Sequence, residues 1–467
     1  MIDWAIEANR KFRIRVDMMV NSGEALRGFP ERLELVQQLT ADESNFLRGS
    51  GWSPESAMQS DYIKQENILC DRVLSSDAQC VVLCVWDGVN LRQALMAKEL
   101  FGVSEQSAFS NTNIEPAIVE PPAMTAWGHF RLLHGAPTWK GLTKVVGRKL
   151  PATRHSALLS WAVQEGVIME HDETYSADDV DLARDAIVQR QTEIFSPWAG
   201  AHFAYTGVRS VPPIQDNVIQ PMLKAAELAG LEVTQTGSQG EMGQFGRIRK
   251  AFIDAGEHKA ERMLVICRFS LDSKGKSAAM GADDHSALSS SGHYAGPFHR
   301  HAIQHIAEVW QELNRIVSEF SPYSTTQIIA SSDHGMTPLA QAANDPLKKR
   351  VIPFEAVIPQ TVGTTPWFSG RGMLCRTEHL AGVELGIKAV NGGEGWCPET
   401  LPCHDPEYTL ISLDHGWGIH ALKGDSFGVS AHLGDHGGLG FDDMVVPLMT
   451  RTVTKEDEGF IIVDPHI

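Results

Sequence analysis

The heptapeptide CVVLCVW, residues 80–86, constrains the fold more than any other stretch of this chain. It is continuously apolar and rich in β-branched valine, which predicts a short strand buried on both faces. Asp87-Gly88 follows, and then NLRQALMAKELF, which is helical in pattern, so the unit reads strand, turn, helix. Two further runs of the same kind are MLVICRF (263–269) and TQIIAS (326–331). Between them Ile303, Ile306, Val309, Trp310, Leu313, Ile316, Val317 and Phe320 recur at helical spacing within residues 298–320. YTLISL (408–413) and MVVPLM (444–449) complete the set of strands. Strands alternating with helices predict an α/β fold, a mostly parallel sheet with helices on both faces. Reactive groups in such sheets gather at the carboxyl ends of the strands.

This rhythm divides the chain. Residues 1–78 read as a helical N-terminal segment with no recognisable chemistry, and residues 79–139 and 261–467 as the core. Residues 140–260 interrupt the alternation with helices and Pro-containing loops, and are expected to form an inserted cap. Residues 271–292, rich in Ser, Ala and Gly, and the run NGGEGWCPETLPCHDP from residue 391 are expected loops.

Charge then limits the partners. With 40 Lys+Arg against 58 Asp+Glu the net charge is −18, which disfavours coating an extended nucleic acid. A small phosphorylated substrate is still admissible where local cations answer its charge. The first twenty residues lack a continuous apolar h-region, and the longest clean apolar run falls far short of a membrane span. These features predict a cytoplasmic protein with no membrane contact. The 7 cysteines are odd in number and follow no framework spacing, which suits reduced thiols. Cys397, Cys403 and His404 hint at a thiolate zinc site but lack a second half.

The predicted strand ends carry the chemistry. Asp87 closes the first, Asp272 comes just after the second, and Asp333-His334 close the third within SSDHGM. His436 lies in GDHGGLGFDDMVVPL, ahead of the last apolar run. In PPAMTAWGHFRLLHG, Thr125 directly precedes a helical stretch, where the helix dipole favours an alkoxide and a bound phosphate. Ser110 and Thr112 are minor rivals as nucleophile. Each residue also has a plain structural reading: an Asp after a strand or a Thr at a helix start commonly caps the helix. His299, His301 and His305 on the long helix are expected to face solvent or pack.

Together these runs resemble the alkaline phosphatase superfamily, in its nucleotide pyrophosphatase/phosphodiesterase and PglZ-domain branches. The matching runs are VVLCVWDG, PAMTAWGHFRLLHG, SGHYAGP before a long helix, IIASSDHGM and GDHGGLGFDDMVVPL, spread over roughly residues 80–450. The resemblance implies two divalent metal ions, Zn²⁺ first and Mn²⁺ second. Asp87, Thr125, Asp333 and His334 would hold one; Asp272, His293 and His436 would hold the other. Thr125 would be the nucleophile. One departure stands out: Asp272 and His293 are separated by SKGKSAAMGADDHSALSSS, where many members place the two ligands four residues apart. The second metal could therefore take Asp272 with His293 or His285, or Asp284 with one of these histidines. His415, in a further DHG triplet, and His432, four residues before His436, are second choices.

The implied function is a metal-dependent phosphoric-ester hydrolase of phosphodiesterase or pyrophosphatase type. A sulfatase would need a Cys/Ser-x-Pro-x-Arg motif, which is missing from the corresponding region. A phosphomutase would use the same metals and hydroxyl. A PglZ-type component of a bacterial defence or signalling system, acting as a scaffold through protein partners, is the alternative from another class.

Overall fold

The protein is described by a computed structural model covering residues 51–101, 107–151, 155–208, 214–238, 241–269, 300–338, 341–342, 345–349, 351–353, 367–369, 371–390, 399–412, 418–420 and 434–455. Eight strands form the central sheet: β1 (Ile63–Lys64), β2 (Cys80–Trp86), β3 (Asn113–Ile118), β4 (His202–Val208), β5 (Glu232–Ser238), β6 (Met263–Phe269), β7 (Thr325–Ser332) and β8 (Val445–Thr454). Their spatial order is β1-β3-β8-β7-β2-β6-β4-β5. β8 runs antiparallel to β3 and β7, and the other strands run parallel to one another.

β2 and β6 sit side by side near the middle of the sheet, and every residue of both is buried. Alternate side chains therefore enter two separate cores, as the strand period requires. Val81, Leu83 and Val85 join Leu264 and Ile266 on one face. That face is covered by α2 (Thr125–His134), α3 (Ala177–Phe195) and α4 (Gln220–Leu228), after α1 (Leu91–Phe101) on the opposite side. Val82, Cys84 and Trp86 meet Val265, Cys267 and Phe269 on that opposite face, under α1, α5 (Glu241–Glu257) and α6 (Arg300–Phe320). α6 follows the expected apolar stripe: Ile303, Ile306, Val309, Trp310, Leu313, Ile316 and Val317 are all buried. The fold is a three-layer α/β/α sandwich with a mostly parallel sheet.

Two expectations are corrected. β4 and β5, with α4 and α5, lie inside the 140–260 stretch expected to be a cap, yet they extend the central sheet. The run EVTQTGS of β5 belongs to the sheet's outer edge and lacks the unbroken apolar signature of a central strand. Tyr408–Ser412 also leaves its expected place: it joins a separate four-stranded antiparallel sheet with Trp367–Ser369, Gly372–Arg376 and Glu399–Pro402. A short apolar run declares a strand but not the sheet it enters. Of the N-terminal segment, residues 1–50 lie outside the described residues. Among the described residues, no helix is long and apolar enough to cross a membrane.

The DDM sequence after His436 is held by two buried ion pairs. Arg92, in the first turn of α1, donates from Nε to Asp442 Oδ1 at 2.6 Å, and Arg371 pairs with Asp443. All four side chains are fully enclosed. Removing one partner of such a pair strands the other charge in low dielectric. Arg92→Met is therefore expected to destabilise the fold by about 3–5 kcal/mol, read from the shift in its chemical denaturation curve.

Candidate metal centre

The site follows from strand register. β2 and β7 are parallel neighbours with Trp86 opposite Ser332, so the next residues, Asp87 and Asp333, leave the carboxyl edge side by side. Main-chain bonds hold that edge: Asp87 N–H donates to the Phe269 carbonyl at 3.0 Å, and Asp333 N–H to the Trp86 carbonyl at 3.0 Å. Gly88 turns the chain away with φ +81°, a conformation that costs a β-carbon-bearing residue more.

Each side chain has a set direction. Asp333 Oδ1 accepts the amides of Gly88 (3.1 Å) and His334 (2.9 Å). Its Oδ2 is buried and accepts no hydrogen bond, although His129 Nδ1 lies 2.8 Å away with its N–H aimed at the Thr125 carbonyl. His334 Nδ1 lies 2.8 Å from the Gly335 carbonyl. A carbonyl only accepts, so the proton is on Nδ1 and the Nε2 lone pair faces the site. Thr125 opens α2 after an extended Met124, and its Oγ1 lies 2.9 Å from His334 Nε2 and 3.4 Å from Asp87 Oδ1. The loop before it is tied down by Arg131, which donates to the Pro122 carbonyl at 2.7 Å and to the Glu120 carbonyl. Close approach of α2 to β7 depends on Gly128, where a β-carbon would come within 1.9 Å of the Asp333 carbonyl oxygen.

One ligand atom from each of Asp87, Asp333 and His334 can lie within 4.8 Å of the others, and all three residues are buried. Burial alone would raise the Asp87 carboxyl. The charge of the Arg268 guanidinium beside it opposes this, and Asp87 is held well below the usual carboxylate range. Two carboxylates, an imidazole lone pair and a hydroxyl make an oxygen- and nitrogen-rich donor set that suits Zn²⁺ or Mn²⁺. The buried Asp333 Oδ2 is an acceptor that a cation would satisfy. The residues present fit a divalent metal.

Asp87, Thr125, Asp333 and His334 thus converge. His436 stands beside them, its ring stacked on that of His334 with centroids 3.9 Å apart and planes at 30°. Asp272, Asp284, His285, His293, His415 and His432 lie outside the described residues. The rival hydroxyls have local structural partners: Ser110 Oγ donates to the Ser107 carbonyl at 2.8 Å, and Thr112 Oγ1 to the Ala108 carbonyl at 2.6 Å. Cys403 is buried and the adjacent His404 exposed, while Cys397 lies outside the described residues.

Three residues that sequence reasoning missed border the site. Arg268, on β6, donates from Nη2 to Asp87 Oδ2 at 2.6 Å and from Nε to His129 Nε2 at 2.7 Å. Gln65 Nε2 donates to the carbonyls of Ser332 and Asp333, each at 2.7 Å. A lone charge inside MLVICRF, and a histidine one helical turn after Thr125, were the available signals for Arg268 and His129. Gln65 had none.

No family model and no curated protein matches the chain. Among solved structures, it is similar to murine ectonucleotide pyrophosphatase/phosphodiesterase 5, at 14% identity over 79% of this chain and 87% of that one, with a TM-score of 0.37. An inactive variant of the murine protein in complex with AMP gives 14% and 0.38, and the human protein 15% and 0.38, over the same shares of both chains. At this level of similarity the comparison assigns neither a family nor an activity to the chain.

Proposed function

We propose that this chain is a metal-dependent hydrolase of phosphoric esters, of phosphodiesterase or pyrophosphatase type, with Thr125 as nucleophile. The observation that carries the reading is the convergence of Thr125 Oγ1, Asp87 Oδ1 and His334 Nε2 at the carboxyl edge of β2 and β7. Asp87, Asp333, His334 and Thr125 hold one divalent ion, and Asp272, His293 and His436 a second, Zn²⁺ before Mn²⁺. Bound there, the metals supply the positive charge that lowers the pKa of the Thr125 hydroxyl and balances the phosphoryl oxygens.

The chain's own part is positioning. Thr125 sits at the first position of α2, where free amides and the helix dipole favour a phosphate. Its Oγ1 attacks phosphorus in line; the P–O bond to the leaving group breaks and the leaving oxygen gains a proton. Water then hydrolyses the phospho-threonine and regenerates the hydroxyl. The substrate is a small phosphorylated molecule, and the setting is cytoplasmic, in keeping with the buried, unpaired thiols of Cys80, Cys84 and Cys267.

Chelation and reconstitution test the reading. Stripping the full chain with EDTA is expected to abolish turnover of nitrophenyl phosphodiesters, and Zn²⁺ or Mn²⁺ to restore it. A fully metallated protein that leaves both mono- and diesters intact would instead support a scaffold role.

A further inference from the structure

Arg268 and His129 are both buried, on different elements, and neither is among the metal ligands proposed above. Their placement follows from the pleat of β6. Arg268 is two residues on from Ile266, so it shares the sheet face that α2 covers, and there it meets His129. Arginine can only donate, so the 2.7 Å contact from its Nε makes His129 Nε2 the acceptor. The imidazole proton is therefore on Nδ1. That N–H faces the Thr125 carbonyl at 2.8 Å, with Asp333 Oδ2 also at 2.8 Å. The other arm of the guanidinium, Nη2, holds Asp87 Oδ2 at 2.6 Å. One arginine–histidine pair thus touches the three chain segments that bear Asp87, Thr125 and Asp333.

We infer that Arg268 and His129 form a positioning unit that fixes the His129 tautomer and holds the three ligand-bearing segments in binding geometry. This rests on the metal-dependent reading. Two physical effects oppose each other at Arg268. Its hydrogen bonds preorganise the ligands, and its charge repels an incoming cation. His129 accepts from Arg268 at Nε2 and so carries no charge in this arrangement, which makes it the cleaner position to alter. Replacing it removes the orientation without removing a charge. Lysine at 268 keeps the charge but lacks the fork that reaches His129 and Asp87 together.

The test is Zn²⁺ affinity of the EDTA-stripped full chain, by competition with a chromophoric chelator, with thermal unfolding of the stripped and loaded forms alongside. His129→Leu is expected to weaken binding about 10–100-fold, the range found when partners behind metal ligands are lost. His129→Asn, which keeps a donor near the Nδ1 position, should recover part of that loss, and Arg268→Lys should weaken binding about tenfold. The rise in unfolding temperature on adding Zn²⁺ should shrink in step, because that rise tracks affinity. A purely structural role would lower both unfolding temperatures equally and leave affinity unchanged. A folded His129→Leu variant that binds within about threefold of wild type would overturn the inference, a margin well inside the expected loss. Should that variant fail to fold, Arg268→Lys decides by the same margin. A wild-type chain that binds no Zn²⁺ would instead overturn the metal-dependent reading itself.

Discussion

Thr125→Ala is expected to lower kcat/KM for a phosphodiester by about 10⁴-fold or more, the scale on which loss of a nucleophile is felt. The side chain removed is small and only partly buried, and among the described residues its Oγ1 meets only groups at the site: His334 Nε2 at 2.9 Å and Asp87 Oδ1 at 3.4 Å. The helix start itself does not depend on the hydroxyl, because Met124 at the cap position is extended and makes no side-chain cap bond. Stability should therefore stay near wild type, and Asp87, Asp333 and His334 remain to retain the metal at saturating concentration, while turnover disappears. Initial rates over a substrate range, measured beside metal content, check this. Hydrolysis that survived the substitution would remove Thr125 from its assigned role.

Asp333 separates binding from folding. Its Oδ1 satisfies two amides, those of Gly88 and His334, and its Oδ2 is the buried oxygen offered to a cation. Asp333→Ala strands both amides in the interior, each at a cost of about 1–3 kcal/mol, and removes a proposed metal ligand as well. Asp333→Asn keeps an acceptor for the amides and loses the charge. Metal affinity should therefore fall at least about 100-fold in both variants, beyond the usual loss for a residue behind the ligands. Only the alanine variant should also lose substantial stability. Metal titration and chemical denaturation of the two variants distinguish these terms.

What the sequence made legible follows from burial. The central strand β2 is apolar throughout, and β6 is apolar but for Arg268, because both faces are covered, and the residues at the strand ends stand out by contrast. Asp87, Asp333 and His334 could be placed at one edge on that ground alone. β4 and β5 were absorbed into an expected cap because HFAYTGV and EVTQTGS carry polar residues and glycine, which blur a strand pattern. Tyr408–Ser412 was seen as a strand but assigned to the wrong sheet, since pairing is a tertiary choice. Arg268 was the one charge in an otherwise apolar strand, and a buried charge needs a partner. That requirement could have flagged it, although nothing local says that Asp87 and His129 provide the answer. Gln65 reaches the carbonyls at the end of β7 from 267 and 268 residues away, a contact no local pattern encodes.

Asp87, Thr125, Asp333 and His334 are proposed to hold a metal that ester hydrolysis requires. Titrating the stripped full chain with Zn²⁺, while following bound metal and diester turnover in the same sample, tests this most directly. Turnover rising in proportion to bound metal, and lost in Asp333→Asn at the same Zn²⁺ concentration, is the result expected. Turnover in the stripped protein, or no metal bound at neutral pH by the wild-type chain, would contradict it.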